Sequence, residues 1–314
     1  MLANESGIIN VSLNPTYYCN FRCDFCYLTK KQLNTQDYLP VAGIRKKLRE
    51  ILDSGHQIGH VDFYGGEVML LPISYLQEVE QMLFDEFKIE DVEIITNLSA
   101  YKKPIVEDTR FGLSVSYDFE HRAQHEHVWQ NMLKVPKPFT VLTLGVGGVL
   151  AMDPSELVER INLLGNCKAW EIKPYSKNQA NQLDVTDAQF EEFVKKIIEY
   201  PNKNFEFLNE TKLRTIKFRD YNAYSDNHVY ITPKGKFGVL MFDANDREYF
   251  QELNTMEDYY HWTMAEKIEV MSNPICGSCE YMGKCASEHL REVKSMENSC
   301  NGFYNLIQWY EKRP

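Results

Sequence analysis

Cys19, Cys23 and Cys26 place three thiols within eight positions, in the run Cys19-Asn20-Phe21-Arg22-Cys23-Asp24-Phe25-Cys26-Tyr27. Four protein thiolates close an iron–sulfur cluster. Three close ones with no fourth beside them would hold a 4Fe–4S cube and leave one iron open to an outside ligand. An open metal position separates a catalytic site from a closed structural one. A zinc knuckle competes with this reading, although zinc sites favour C-x2–4-C pairs with a distant second pair.

A second constellation follows at His60-Val61-Asp62-Phe63-Tyr64-Gly65-Gly66-Glu67. The alternation of the first residues reads as a strand, and the apolar residues Leu76, Val79, Met82, Leu83 and Phe87 read as a helix over 73–87. Two glycines let a backbone approach a ligand closely, and the adjacent carboxylate can accept from an ammonium group. An ordinary strand-to-helix turn would look the same in isolation.

Together the two segments resemble the signature of radical S-adenosylmethionine (SAM) enzymes. The C-x3-C-x2-C run carries Phe25 before its third cysteine and Tyr27 after it, and Gly-Gly-Glu follows about forty residues later. The resemblance implies that SAM chelates the open iron and that the reduced cluster cleaves it to methionine and a 5′-deoxyadenosyl radical. Phe25, Tyr27, Gly65, Gly66 and Glu67 then count as cofactor-binding residues, with Glu67 and the glycine backbone receiving the SAM amino group. Thr96-Asn97 resembles the family's T-N-G turn beside the SAM ribose, with Leu98 in place of the usual Gly. Ser116 and Asp118 resemble the S-x-D-G segment of the peptide-modifying branch. That match implies that Ser116 binds the SAM carboxylate and that Asp118 faces substrate, with Phe119 where Gly is expected.

The elements that must position these residues alternate strand and helix. Strands are predicted at 8–13, at the Gly-Gly-Glu segment, and at 91–97, 111–117, 139–150 and 169–174. Helices are predicted over 41–54, 73–87, 120–133, from Asp153-Pro154, and over 187–199. Six βα units predict an α/β fold with a parallel sheet wrapped by helices. Ligands gather at the C-terminal strand ends of such sheets, where both motifs fall. The resemblance implies a partial (β/α)6 barrel as a radical SAM core, residues 1–205. His121, His125 and His127 invite a metal reading, but their polar segment suits a solvated helix; His125-Glu126 also resembles a structural His-Asp pair of that branch. Cys167 reads as a small buried side chain in a loop.

The C-terminal part, residues 206–314, changes character. A hairpin is predicted from Val229–Thr232, Pro233–Lys236 and Phe237–Met241. Beyond it, Cys276, Cys279 and Cys285, with Cys300, form a set of four that could close around zinc or an iron–sulfur cluster. Beside a radical SAM core this resembles a SPASM or twitch extension with auxiliary 4Fe–4S clusters. The full pattern has a further cysteine where His289 stands and another near Leu240 and Met241. One auxiliary cluster is therefore expected, as relay or structural support rather than substrate ligand.

Hydrophobic residues make up 44% of the 314, enough for a large core, and the net charge of −11 includes no basic tract. That argues against nucleic acid and favours a neutral or cationic substrate. No membrane span or signal peptide is evident, and eight cysteines without export features point to metal rather than disulfides. The expectation is a cytoplasmic enzyme served by a flavodoxin- or ferredoxin-type electron donor. Its substrate is expected to be a ribosomally made peptide or, in the alternative, a sugar or amino acid derivative oxidised or epimerised by a radical SAM dehydrogenase or epimerase. Only 18 residues precede Cys19, which leaves no room for an N-terminal leader-recognition domain. A non-catalytic iron–sulfur or zinc scaffold is the reading from another class, but it would have no need of Gly65-Gly66-Glu67.

Overall fold

The computed structural model describes residues 7–177, 180–241, 250–287, 300 and 302–313. Ten strands form one sheet in the order β10-β9-β8-β1-β2-β3-β4-β5-β6-β7. The strands are β1 (Ile8–Leu13), β2 (Gln57–Phe63), β3 (Val92–Thr96), β4 (Gly112–Ser116), β5 (Phe139–Gly145), β6 (Cys167–Pro174), β7 (Glu206–Phe207), β8 (His228–Ile231), β9 (Phe237–Leu240) and β10 (Phe250–Leu253). Each neighbouring pair from β8 through β1 to β7 is parallel, whereas β9 and β10 run antiparallel. This is the α/β parallel sheet expected from the six βα units, in the partial-barrel form that the resemblance implied, with the C-terminal hairpin joined to its first strand.

Side-chain alternation explains the curl. Ile9, Val11, Leu13, Val61, Phe63, Ile94, Leu113, Val115, Val141 and Ile172 are buried and form the helix-covered face. The alternate residues, among them Asn10, Ser12, Asp62, Ser116, Leu144 and Lys173, line a central cleft. The covering helices present apolar stripes, as in Val41–Asp53, which buries Val41, Ile44, Leu48 and Ile51. Asp153 caps the helix Pro154–Asn162 by accepting from the Ser155 N–H, with Pro at the first turn. Thr186 and Gln189 form a capping box on Asp187–Glu199.

Several boundaries differ from expectation. The helix expected over 120–133 begins only at His125, because Phe119 and Gln124 take left-handed backbone and Phe119–His121 makes a separate 3-10 turn. Phe119 is pinned there, its ring 5.1 Å from Tyr117 and 6.2 Å from Trp170. The strand expected over 139–150 stops at Gly145, and Gly147–Leu150 turns helical; Gly148 leaves no space for a Cβ against the His121 ring. The helix from Ile73 changes at Met82 into a π turn, Met82–Glu86. Cys167 is not in a loop: it opens β6, buried, with Sγ 3.3 Å from the Ala169 carbonyl. Leu240 fills a cleft-lining position at the end of β9, and His289 lies outside the described residues.

Candidate active site and cysteine-lined pocket

The C-terminal ends of the first four strands meet around the cysteine loop. Cys19, Cys23 and Cys26 all line the central cleft, whose volume is about 720 Å3. Backbone N–H groups of Phe21 and Leu28 point at the sulfurs of Cys19 and Cys26, each at 3.4 Å. Burial, with a smaller push from neighbouring sulfurs, raises the Cys19 thiol to about 12 and the Cys26 thiol to about 11. Such thiols stay protonated at neutral pH unless a cation draws the protons off. Three sulfurs in one cleft wall fit a metal cluster in chemistry. Among the described residues, no group of three or more His, Cys, Asp or Glu side chains is arranged so that it could hold a metal ion.

The Gly-Gly turn lies directly against this loop. Gly66 N–H donates to the Thr16 carbonyl and Glu67 N–H to the Tyr18 carbonyl, both at 2.8 Å. A methyl on Gly66 would run into the Tyr17 and Tyr18 carbonyl oxygens, and one on Gly65 into that of Thr16. The glycines are required because two backbones pass this closely.

Glu67 lies behind the turn, 1% exposed. Its Oε1 accepts from the Met69 N–H at 2.8 Å and the Thr96 hydroxyl at 2.6 Å, and its Oε2 accepts from the Asn97 N–H at 2.6 Å. Burial pushes its pKa up and these three donors oppose the rise. In this structure Glu67 therefore ties the β2 turn to the end of β3, while Gly65, Gly66, Thr96 and Asn97 form the cleft wall. Asn97 reaches back to the cysteine loop, donating to Asn20 at 3.2 Å. Leu98, in the place of the usual Gly, holds φ 50°, so the turn keeps the left-handed geometry a glycine would adopt freely.

Ser116 and Asp118 both line the cleft, and the Asp118 carboxylate is held on both oxygens. Its Oδ2 pairs with Arg122 at 2.5 Å and 2.6 Å, and its Oδ1 accepts from the Leu144 N–H at 2.6 Å. The pair holds the Arg122 guanidinium 5.3 Å from the centre of the Phe25 ring and 3.9 Å from the Cys23 sulfur. Burial raises the Cys23 thiol and Arg122 beside it pulls the other way. Tyr27 meets Phe250 edge-on at 6.1 Å. The histidines do not converge: His127 contacts the Ser99 carbonyl at 3.0 Å, and His125 the Glu126 carboxylate at 3.5 Å.

Arg122, Asp62, Lys173 and His228 also line the cleft, and none was singled out from sequence. For Asp62 a signal was present, since polar residues alternate with apolar ones along His60–Phe63. Arg122 carried none, because its contact with Cys23 spans 99 positions.

A second, small apolar pocket is lined by Cys276, Cys279, Cys285 and Cys300 with Val270, Ile275, Tyr281 and Ile307. Tyr281 N–H points at the Cys279 sulfur and Gly302 N–H at the Cys300 sulfur, at 3.4 and 3.3 Å. Burial pushes the Cys276 and Cys285 thiols up to about 11. Four thiols and no polar wall suit a soft metal centre.

The family model of the radical SAM superfamily matches residues 13–111, from the end of β1 to the start of β4. The chain carries a radical SAM domain. The fold is shared along nearly its whole length with Streptococcus suis SuiB bound to S-adenosylmethionine, at 15% identity and TM-score 0.65, over 96% of this chain and 77% of that one. SuiB has also been seen bound to the precursor peptide SuiA, at 16% identity and TM-score 0.65, over 96% and 76%. The anSMEcpe structure with bound AdoMet and a peptide matches at 12% identity and TM-score 0.66, over 96% of this chain and 99% of that one. None of the curated proteins matches the chain. Among the described residues, no helix of this radical SAM protein is long and apolar enough to cross a membrane.

Proposed function

We propose that this protein is a radical SAM maturase that abstracts a hydrogen atom from a peptide, with residues 1–205 as catalytic core and 206–314 as an auxiliary-cluster extension of SPASM or twitch type. The observation that carries the reading is the meeting of Cys19, Cys23 and Cys26 with Gly65, Gly66, Thr96, Asn97 and Ser116 on one cleft wall. The likeness to two folds seen with both AdoMet and peptide supports the substrate class.

When bound, a reduced 4Fe–4S cluster supplies the electron that splits SAM, and the resulting radical takes the hydrogen atom. The chain's own residues do the rest. Cys19, Cys23 and Cys26 would hold the cluster, Gly65 and Gly66 admit the amino acid end of SAM to the backbone, and Ser116 donates to its carboxylate. Glu67 fixes Thr96 and Asn97 on the ribose side. Asp118 acts as a positioning residue, holding Arg122 over Phe25 and beside Cys23. Cys276, Cys279, Cys285 and Cys300 would close a second cluster, leaving no iron for substrate. A flavodoxin- or ferredoxin-type protein would deliver the electron.

Anaerobically reconstituted protein should hold about eight irons, and the Cys19→Ala, Cys23→Ala, Cys26→Ala triple variant about four. The parent should form 5′-deoxyadenosine from SAM and dithionite, and the variant none. Stoichiometric zinc in the parent, or no SAM cleavage by a protein with a full iron complement, would overturn the assignment.

A further inference from the structure

Beyond the SAM-facing wall, the cleft reaches down among the strands to Asn10, Ser12, Asp62, Lys173 and His228. The mouth motifs use none of these. Asp62 stands directly across from Ser12 in the β1–β2 register. Among the described residues only His60 bonds its side chain, with Nε2 2.9 Å from Oδ1. The other ring nitrogen of His60 lies 2.9 Å from the Asp91 carboxylate. One imidazole thus sits between two carboxylates, and a carboxylate clamped from behind presents its remaining acceptor sites to the cleft.

The surrounding charges set what such a carboxylate can receive. His60 with Asp62 and Asp91 sums to one negative charge when the ring is protonated. Lys173 is met by Glu171 at 2.8 Å, and its charge, like that of His228, also acts on Asp62. His228 gives its Nε2 to the Ser12 hydroxyl at 2.7 Å. Glu93, beside Asp62 in the β2–β3 register, adds no positive charge. Carboxylates therefore outnumber cations around the floor, and Asp62, about a quarter exposed, keeps acceptor capacity to spare. An acceptor in a partly desolvated cavity gains most from a charged donor.

We infer that the floor of the barrel is a specificity site in which Asp62 receives a cationic side chain of the substrate, an alkylammonium or guanidinium group, and so sets which residue of a peptide is brought toward the cysteine-lined mouth. The inference rests on the peptide reading above. It narrows that reading to peptides with a basic residue at or beside the position attacked. His60 and Asp91 serve as positioning residues, fixing the direction of the carboxylate.

The test uses reconstituted, SAM-loaded protein and three probes: acetyl-Gly-Lys-Gly-amide, acetyl-Gly-norleucyl-Gly-amide and butylamine. The lysyl peptide should bind about tenfold or more tighter than its norleucyl counterpart, the size expected of one charge-assisted hydrogen bond. Asp62→Asn should bring the two within about threefold, and Asp62→Glu should restore part of the preference. Equal binding of the two peptides by the parent overturns the inference, and so does an unchanged ratio in a folded Asp62→Asn protein. If Asp62→Asn does not fold, His60→Gln, which leaves the carboxylate but removes its clamp, should still lower the ratio. Butylamine binding as tightly as the lysyl peptide supports the cation site but assigns it to a free amine. SAM cleavage measured on the same preparation separates the two readings. Cleavage without lysyl preference sinks this inference alone, and lysyl preference without cleavage sinks the enzyme assignment alone.

Discussion

Leu98 and Phe119 hold left-handed backbone, φ 50° and 54°, at two positions where the related motifs carry glycine. Such backbone costs a non-glycine residue about 1–2 kcal/mol, and both side chains are fully buried, which returns roughly 1.5–3 kcal/mol each. The departures from motif are thus absorbed by the core rather than by a new loop shape. His60 makes a testable case at the same scale. Burial works against its charge, but Asp62 and Asp91 outweigh that and raise its pKa from the ordinary 6.5 to about 9. A raised folded pKa means that the extra stability is fully present below pH 6.5 and is lost as pH climbs through 9. The parent should exceed His60→Gln in stability by roughly 1–2 kcal/mol at pH 6, after allowance for a partly exposed ring, and the gap should narrow by pH 10. Anaerobic melting curves at both pH values measure it, and a gap that stays constant rules out the charged ring as its source. The meeting of the cysteines and glycines in one cleft was legible from their spacing. The contacts of Asp118 with Leu144, Arg122 with Cys23 and Glu67 with Asn97 were not, since they span 26 to 99 positions.

At the scale of elements, the turn after β2 packs backbone directly against backbone. Gly66→Ala would force the β1 loop and the β2 turn apart, because the obstructing atoms are backbone carbonyls rather than pliable side chains. A loss of about 2–4 kcal/mol is expected, together with weakened iron retention; melting and iron analysis of the variant measure both. A variant with parental stability would show that the two backbones can separate freely. Alternating apolar residues made β1 through β6 readable, and Asp153-Pro154 announced its helix chemically. The break at Gln124 and the π turn at Met82 leave no local signature. Two strands also escaped: β7 is only two residues long, and β10 is four. Nothing local marks the parallel pairing of β1 with β8, since Ser12 and His228 are 216 positions apart.

For the molecule as a whole, the C-terminal third is bound to the barrel along both flanks of the sheet, β7 beside β6 and β8 beside β1. The four-cysteine pocket is apolar and shares no lining residue with the central cleft, so the two thiol sets should separate functionally. Cys279→Ala should lose about four irons, keep substrate-free SAM cleavage within about threefold of parent, and lose or divert product formation. Anaerobic melting should also show a loosened C-terminal segment, because ligation contributes folding energy where a core is small. A folded variant with normal product at a normal rate would remove relay and gate alike. The β1–β8 pairing has a further effect on how the chain is made. The first strand leaves the ribosome about 220 residues ahead of its partner, and at about 5–20 residues per second that interval is roughly ten to forty-five seconds. Through that time one long edge of β1 stands unpaired beside three reactive thiols, open to mispairing and to premature oxidation. Nascent chains should therefore depend on chaperone cover and a reducing milieu until β8 emerges, and yield should fall when synthesis is slowed between these two strands.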